Sequence, residues 1–173
     1  MRREPRITPT GPEHLAAVVA MHRRCSPHTL WSRYHRATAD PASFLPALLS
    51  RPGSVHLAVW DPTGRIVAVG HLMPDGSAVE AALLVEDAWQ DRGLGTRLLL
   101  RLGRHAAEGE WETAYGLVLP GDERIDAMLG HTALPVHHGD DGGVTTVWAR
   151  TGDLAEVLPP RRRLRLVRAR SRR

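Results

Sequence analysis

Residues 82–108 constrain the fold more than any other stretch. An apolar, strand-like run, Ala81-Ala82-Leu83-Leu84-Val85, leads through Gln90-Asp91-Arg92-Gly93-Leu94-Gly95-Thr96 into a segment whose Leu94, Leu98 and Leu102 recur every four residues, as on one helix face. The glycines therefore sit where a strand turns into a helix. A strand reached through such a crossover helix runs parallel to the strand before it, so residues 113–119 are expected to pair in parallel with residues 77–86. The start of a helix leaves backbone N–H groups unpaired and carries partial positive charge, and glycine removes the Cβ that would keep a bulky anion away. The turn has the makings of a pyrophosphate cradle.

Two common phosphate cradles are excluded. A P-loop needs a lysine, and the chain has none; the dinucleotide fingerprint needs a third glycine where Leu98 stands. What remains, Gln-x-x-Gly-x-Gly preceded by Val85-Glu86-Asp87-Ala88-Trp89, resembles motif A of the GNAT N-acetyltransferase family, whose backbone amides hold the pyrophosphate of acetyl-CoA. A second stretch, Ser26-Pro27-His28-Thr29-Leu30-Trp31-Ser32-Arg33-Tyr34, is similar to a helix of the bacterial Pat-type protein lysine acetyltransferases.

The rest of the chain gives an order of elements. Arg6-Ile7-Thr8 reads as a short strand, and Thr10 with Glu13 as a capping box for a helix carrying Leu15, Val18, Val19 and Met21 and ending near Cys25. Ser26-Pro27 caps a second helix; Asp40-Pro41 opens a third, shortened or kinked by Pro46. Residues 55–60 and 65–72 form a hairpin about Asp61-Pro62-Thr63-Gly64, and a turn at Pro74-Asp75-Gly76 leads to a third antiparallel strand. After the crossover come a short helix over residues 122–129 and a terminal hairpin about residues 139–143. The expected fold class is α/β (α+β): a mixed, mostly antiparallel sheet with one parallel pair joined by the motif A helix. The domain covers residues 1–150, and residues 151–173 are an arginine-rich, flexible extension.

The resemblance implies an acetyl-CoA-dependent N-acetyltransferase. It assigns Leu83, Leu84 and Val85 to the cofactor, with the main chain of Leu83 and Val85 facing pantetheine, and Gln90, Asp91, Arg92, Gly93, Leu94, Gly95 and Thr96 to the pyrophosphate. Acetyl transfer needs a base, because an amine with a pKa of about 10.4 is protonated near neutrality. By its place ten residues before Gln90, Glu80 matches the catalytic glutamate of Pat-type sequences. Strand alternation puts Glu80, Ala82 and Leu84 on one face and Val79, Ala81, Leu83 and Val85 on the other. The acceptor implied is a protein lysine. The sequence departs from many relatives in having no tyrosine at the general-acid position and no asparagine beyond the fifth strand, where Asp122 stands. That departure motivates an alternative: a non-catalytic acyl-CoA-binding sensor acting through its basic tail.

All 23 basic residues are arginines, and eight lie in residues 161–173; the remaining 15 face 19 acids, so the tail, not the fold, is basic. The tail makes nucleic acid a conceivable partner by charge alone, without aromatics for base stacking. The absence of lysine and asparagine suggests a GC-rich bacterial genome. No apolar run of signal-peptide or bilayer-spanning length appears, so a cytoplasmic protein is expected. One cysteine, Cys25, rules out an internal disulfide and reads as a buried apolar residue. His71 reads as structural rather than as an auxiliary base. No metal is expected at His137-His138, because adjacent strand residues face opposite ways.

Overall fold

The computed structural model describes residues 4–37, 40–141 and 143–158. Seven strands form one sheet in the order β1-β2-β3-β4-β5-β7-β6. They are β1 (Arg6–Pro9), β2 (Val55–Trp60), β3 (Ile66–Asp75), β4 (Ala78–Val85), β5 (Thr113–Val118), β6 (His137–Asp141) and β7 (Val144–Arg150). Every neighbouring pair is antiparallel except β4 and β5, so the expected mixed sheet with one parallel pair is present.

Two layers of helices cover the sheet. Helix α4 (Leu94–Glu108) connects β4 to β5 and buries Leu94, Leu98, Leu102 and Ala106 against Leu57, Val59, Leu72 and Val79. Gly70 lets the helix come close: a Cβ there would stand 3.0 Å from Leu102 Cδ1 and 3.4 Å from Leu98 Cδ2. On the opposite face, α1 (Leu15–Arg24), α2 (Pro27–Tyr34) and the one-turn α3 (Leu45–Leu49) enclose a second core around Val18, Met21, Leu45, Ala58, Val69 and Leu84. The alternation read for β4 holds, with Leu84 in this second core and Val79, Ala81 and Val85 in the first.

Several local expectations are corrected. The Thr10/Glu13 capping box does not form: Gly11 precedes a 3₁₀ turn (Pro12–His14), Thr10 Oγ1 bonds His14 Nδ1 at 3.1 Å, and the Glu13 carboxylate pairs with His14. The third helix splits at Phe44 into a 3₁₀ turn (Pro41–Ser43) and α3, where Pro46 sits harmlessly in the first turn. Pro74 and Asp75 belong to β3, opposite Val79 and Ala78, so the hairpin turn is shifted to Gly76 and Ser77. In the last hairpin, Gly139, Asp140 and Asp141 are strand residues paired with β7.

The largest correction concerns the boundary at residue 150. Residues 151–158 continue the fold: α6 (Thr151–Val157) packs on α4, with Leu154 and Leu158 buried in the first core. Thr151 anchors it, its N–H donating to Glu112 O at 3.0 Å and its hydroxyl to Trp111 O. The arginine-rich residues 161–173 lie outside the described residues.

Candidate active site

The parallel ladder is short. It pairs Ala78 with Thr113, Val79 with Ala114 and Glu80 with Tyr115, and then stops. Beyond that point β4 and β5 fork. Glu86 N donates to Val67 O at 3.0 Å, so even-numbered residues of β4 turn their backbone groups toward β3; by alternation Leu83 and Val85 turn theirs into the fork. Gly116 keeps the apex tight, because a Cβ there would lie 3.2 Å from Ala81 O.

Past the fork, the turn into α4 is built from two residues in left-handed conformation, Asp91 at φ 56° and Gly93 at φ 72°. The first backbone bond of α4 runs from Arg97 N to Gly93 O at 3.0 Å, leaving the N–H groups of Leu94, Gly95 and Thr96 without helical partners. A Cβ at Gly93 would meet nothing within 4 Å, whereas a Cβ at Gly95 would stand only 3.1 Å from Met128 Sδ, so glycine there leaves room between the turn and α5. A groove of about 850 Å³ runs along Leu83, Val85, Gln90, Gly93, Gly95 and Thr96, with α5 (Glu123–Gly130) as its far wall. The donor set suits a diphosphate.

The remaining motif residues hold the turn in place. The Gln90 side chain donates to Thr29 Oγ1 and to Val85 O, both at 3.1 Å, and accepts from Arg124 Nη1 at 2.7 Å. It joins α2, β4 and α5, and it occupies the Val85 carbonyl, leaving the Val85 N–H and both backbone groups of Leu83 for a ligand. Arg92 stacks on Trp89, 4.8 Å from the ring centroid. Leu94 drops its side chain into the core and offers only its N–H. Leu84 has its side chain in the second core and its backbone toward β3, and of the assigned residues Arg92 alone does not line the groove.

Sequence reasoning missed how α2 is docked on this turn. Asp87 accepts from Ser26 N (2.8 Å), Ser26 Oγ (2.6 Å) and Thr29 Oγ1 (2.8 Å). Burial alone would raise its pKa, but these bonds hold the carboxylate below its ordinary value. Ser32 Oγ donates to Asp122 Oδ2 at 2.7 Å, while Asp122 Oδ1 accepts from Arg124 N and so caps α5. The Pat-like segment is thus the docking strip that fixes α2 against the turn and α5. The partners are some sixty to ninety residues apart, so no local pattern marked them.

Glu80 stands at the apex of the fork, half-buried, on the face covered by α2. It lines a second cavity, of about 420 Å³, with Arg33 and Tyr34. Among the described residues neither Glu80 nor Arg33 has a hydrogen-bonded side-chain partner. Burial lowers the Arg33 pKa from its usual value, opposed by the nearby Tyr34 and Glu80. Both tyrosine hydroxyls are engaged: Tyr34 donates to His22 Nε2 at 2.7 Å and Tyr115 to Asp75 Oδ2 at 2.8 Å. Burial pushes each up to about 12, with the Asp75 bond adding to the rise at Tyr115.

Beneath α1 and α2 lies a layer of buried imidazoles. His22 donates from Nδ1 to Val18 O at 2.8 Å, and burial pushes it down to about 4. His71 is fully buried and meets His56 Nδ1 to Nδ1 at 2.8 Å; burial keeps both below the usual histidine range. His71 is therefore a neutral, structural group. Cys25 bonds the Met21 carbonyl, and burial with the nearby Asp87 and Glu86 pushes its thiol up to about 12, which suits the apolar role. His137 stacks on Trp148 with centroids 4.5 Å apart, and Asp140 accepts from Thr145.

The sequence profile of the acetyltransferase (GNAT) family matches residues 15–119. No curated protein sequence matches the chain. Among solved structures, the GNAT domain of S. lividans PAT superposes with a TM-score of 0.73 at 19% identity, over 84% of this chain and 90% of that one. Spermidine N-acetyltransferase from Vibrio cholerae, in complex with CoA and spermine, gives 0.68 at 8% identity, over 87% and 97%. A GNAT superfamily phosphinothricin acetyltransferase from Sinorhizobium meliloti, in complex with AcCoA, gives 0.67 at 11%, over 86% and 89%. At these identities the likeness is one of fold.

Proposed function

This chain belongs to the GNAT acetyltransferase family, and from that premise we propose that it carries the acetyl group of acetyl-CoA to a protein lysine, with Glu80 as general base. The observation that supports this most is the fork: strand pairing ends at Glu80 and Tyr115, and the backbone of Leu83 beyond it faces the gap that leads to the bare N–H groups of α4. Two of the similar structures hold CoA or acetyl-CoA, and one is a GNAT domain of a PAT protein.

Acetyl-CoA supplies the acyl group as a thioester. The N–H groups of Leu94, Gly95 and Thr96 bind the diphosphate, and the backbone of Leu83 with the Val85 N–H orients the pantetheine arm. The Leu83 N–H is also the donor nearest the charge that develops on the thioester oxygen. Glu80, unpartnered at the mouth of the second cavity, takes the proton from the incoming ammonium. A thiol of pKa about 8.5 leaves as thiolate near neutral pH without a general acid.

The test is Glu80→Gln. Acetyl transfer falls about 10²- to 10⁴-fold while acetyl-CoA affinity stays within experimental error. Normal turnover by this variant would remove Glu80 from its role. Mass spectra of lysate proteins after incubation identify the acylated lysines. A second reading, a non-catalytic acyl-CoA sensor, draws support from the engagement of both tyrosine hydroxyls. It is the one to adopt if the wild type binds acetyl-CoA tightly yet modifies no amine.

A further inference from the structure

The cavity beside Glu80 extends well past the point where acetyl chemistry needs space. From the fork it passes between α4 and the sheet and ends among Leu72, Ala106, Ala114, Ala149 and Leu154. Leu72 and Ala106 are fully shielded from solvent, and Ala149 and Leu154 are 3% exposed. Ala114 and Ala149 are cross-strand partners on β5 and β7, so two adjacent strands both present a methyl group where larger side chains would close the space. On α4, Ala106 adds another small side chain, while the space over Gly103 is taken by Leu158, whose Cδ1 would stand 2.8 Å from a Cβ there. Protein interiors are close-packed, and an enclosed apolar void stays dry and takes apolar guests.

The cavity is continuous with the groove along α4: Ser32, Arg33, Leu83, Asp122, Ile125 and Met128 line both. A chain attached to a thioester at Leu83 therefore has this space within reach. At roughly 30 Å³ for a water-sized group, the two carbons of an acetyl unit use only a small part of it.

We propose that the inner end of this cavity is an acyl pocket, and that the donor site takes straight, apolar acyl-CoA chains of about four to six carbons as well as acetyl. The inference rests on the fork being the thioester site. The acyl methyl points away from the turn at Gly93, toward Ala114 and Leu154, and the added methylenes are buried against β5, β7 and α4. No charged side chain lines the inner end, so a dicarboxylic acyl group is not accommodated there.

Calorimetric titration of the full chain with CoA, acetyl-CoA, butyryl-CoA and hexanoyl-CoA tests this without any acceptor. Each added methylene, where fully buried, tightens binding about fourfold, so hexanoyl-CoA, with four more methylenes, binds up to about 250-fold tighter than acetyl-CoA. In Ala114→Leu the ratio of hexanoyl- to acetyl-CoA affinity falls toward one, with folding checked by the melting temperature. Should that variant not fold, Ala149→Val serves in its place, and the wild-type series stands alone as a test. Hexanoyl-CoA binding no tighter than acetyl-CoA, or an advantage untouched by filling the cavity, overturns the acyl pocket and leaves the acetyltransferase reading intact. Failure of every CoA ester to bind removes both.

Discussion

On one face of the sheet a single fifteen-residue helix, α4, presses Leu94, Leu98, Leu102 and Ala106 onto an apolar surface; on the other, three short helices enclose His22, His56 and His71 together with aliphatic side chains. The apolar face derives its strength from area removed from water, and its contacts are interchangeable within limits of volume. The mixed face depends on particular partners. Its imidazoles are stable only as neutral groups, and its buried carboxylate Glu86 (6% exposed) is held by Arg24 at 2.8 Å and 3.0 Å. One face tolerates redesign, and the other, which covers the proposed base Glu80, does not.

The sharpest contrast comes from Leu98→Ala on the apolar face. It leaves a void beneath α4 and lowers unfolding free energy by about 2–5 kcal/mol in a denaturant titration at any pH where the protein is folded. The mixed face responds to acid instead. His22 titrates near 6.5 when unfolded and near 4 when folded, so the unfolded chain binds more protons between those values. Stability is full above about pH 6.5 and is lost as pH falls toward 4. For His22 alone the loss is about 3 kcal/mol, at roughly 1.4 kcal/mol per pK unit. Denaturant titrations at pH 7 and pH 5 with equal stability would break the comparison.

A smaller effect probes the imidazole pair. His71→Leu leaves His56 buried without its partner and costs about 1–3 kcal/mol, whereas His56→Leu with His71→Leu removes both polar groups and recovers most of that. A double-mutant cycle that shows simple additivity would mean that the two rings do not depend on each other. The smallest effect is expected at the rim. Arg23 and Asp40 form an exposed pair at 3.0 Å, and Arg23→Ala changes stability by under about 1 kcal/mol, less still in high salt.

The same contrast explains what was legible beforehand. Leu94, Leu98 and Leu102 and the alternation of residues 79–85 announce α4 and β4, because amphipathic periodicity is a local property. The parallel pairing of β5 followed from that one connection. The docking of α2 was illegible for the opposite reason: Asp87, Gln90 and Asp122 act through partners distant in sequence, and a polar residue reads alike whether it is solvated or latched. Thr10 and Glu13 illustrate the reverse error, a capping pattern that local geometry did not use once Gly11 opened a 3₁₀ turn. Residues 151–158 lack a long period, so α6 read as tail; Leu154 and Leu158 are buried by α4 and not by any pattern of their own. At the proposed site, the place of Glu80 on β4 and the glycine turn before α4 were legible from sequence, whereas the inner cavity depends on Ala114 and Ala149, whose adjacency no linear reading contains.

Among the described residues, the ladder between β4 and β5, where β1–β4 meet the strands beyond them, has only three residue pairs. The sheet is two panels with a short seam, and any molecule lodged in the open part of that seam adds hydrogen bonds between the panels. Occupancy should therefore register as thermal stabilisation, growing with ligand concentration as RT ln(1 + [L]/Kd), and as slowed amide exchange at Leu83 and Val85. The seam makes the protein a reporter of its own ligands, whether or not an acceptor is present.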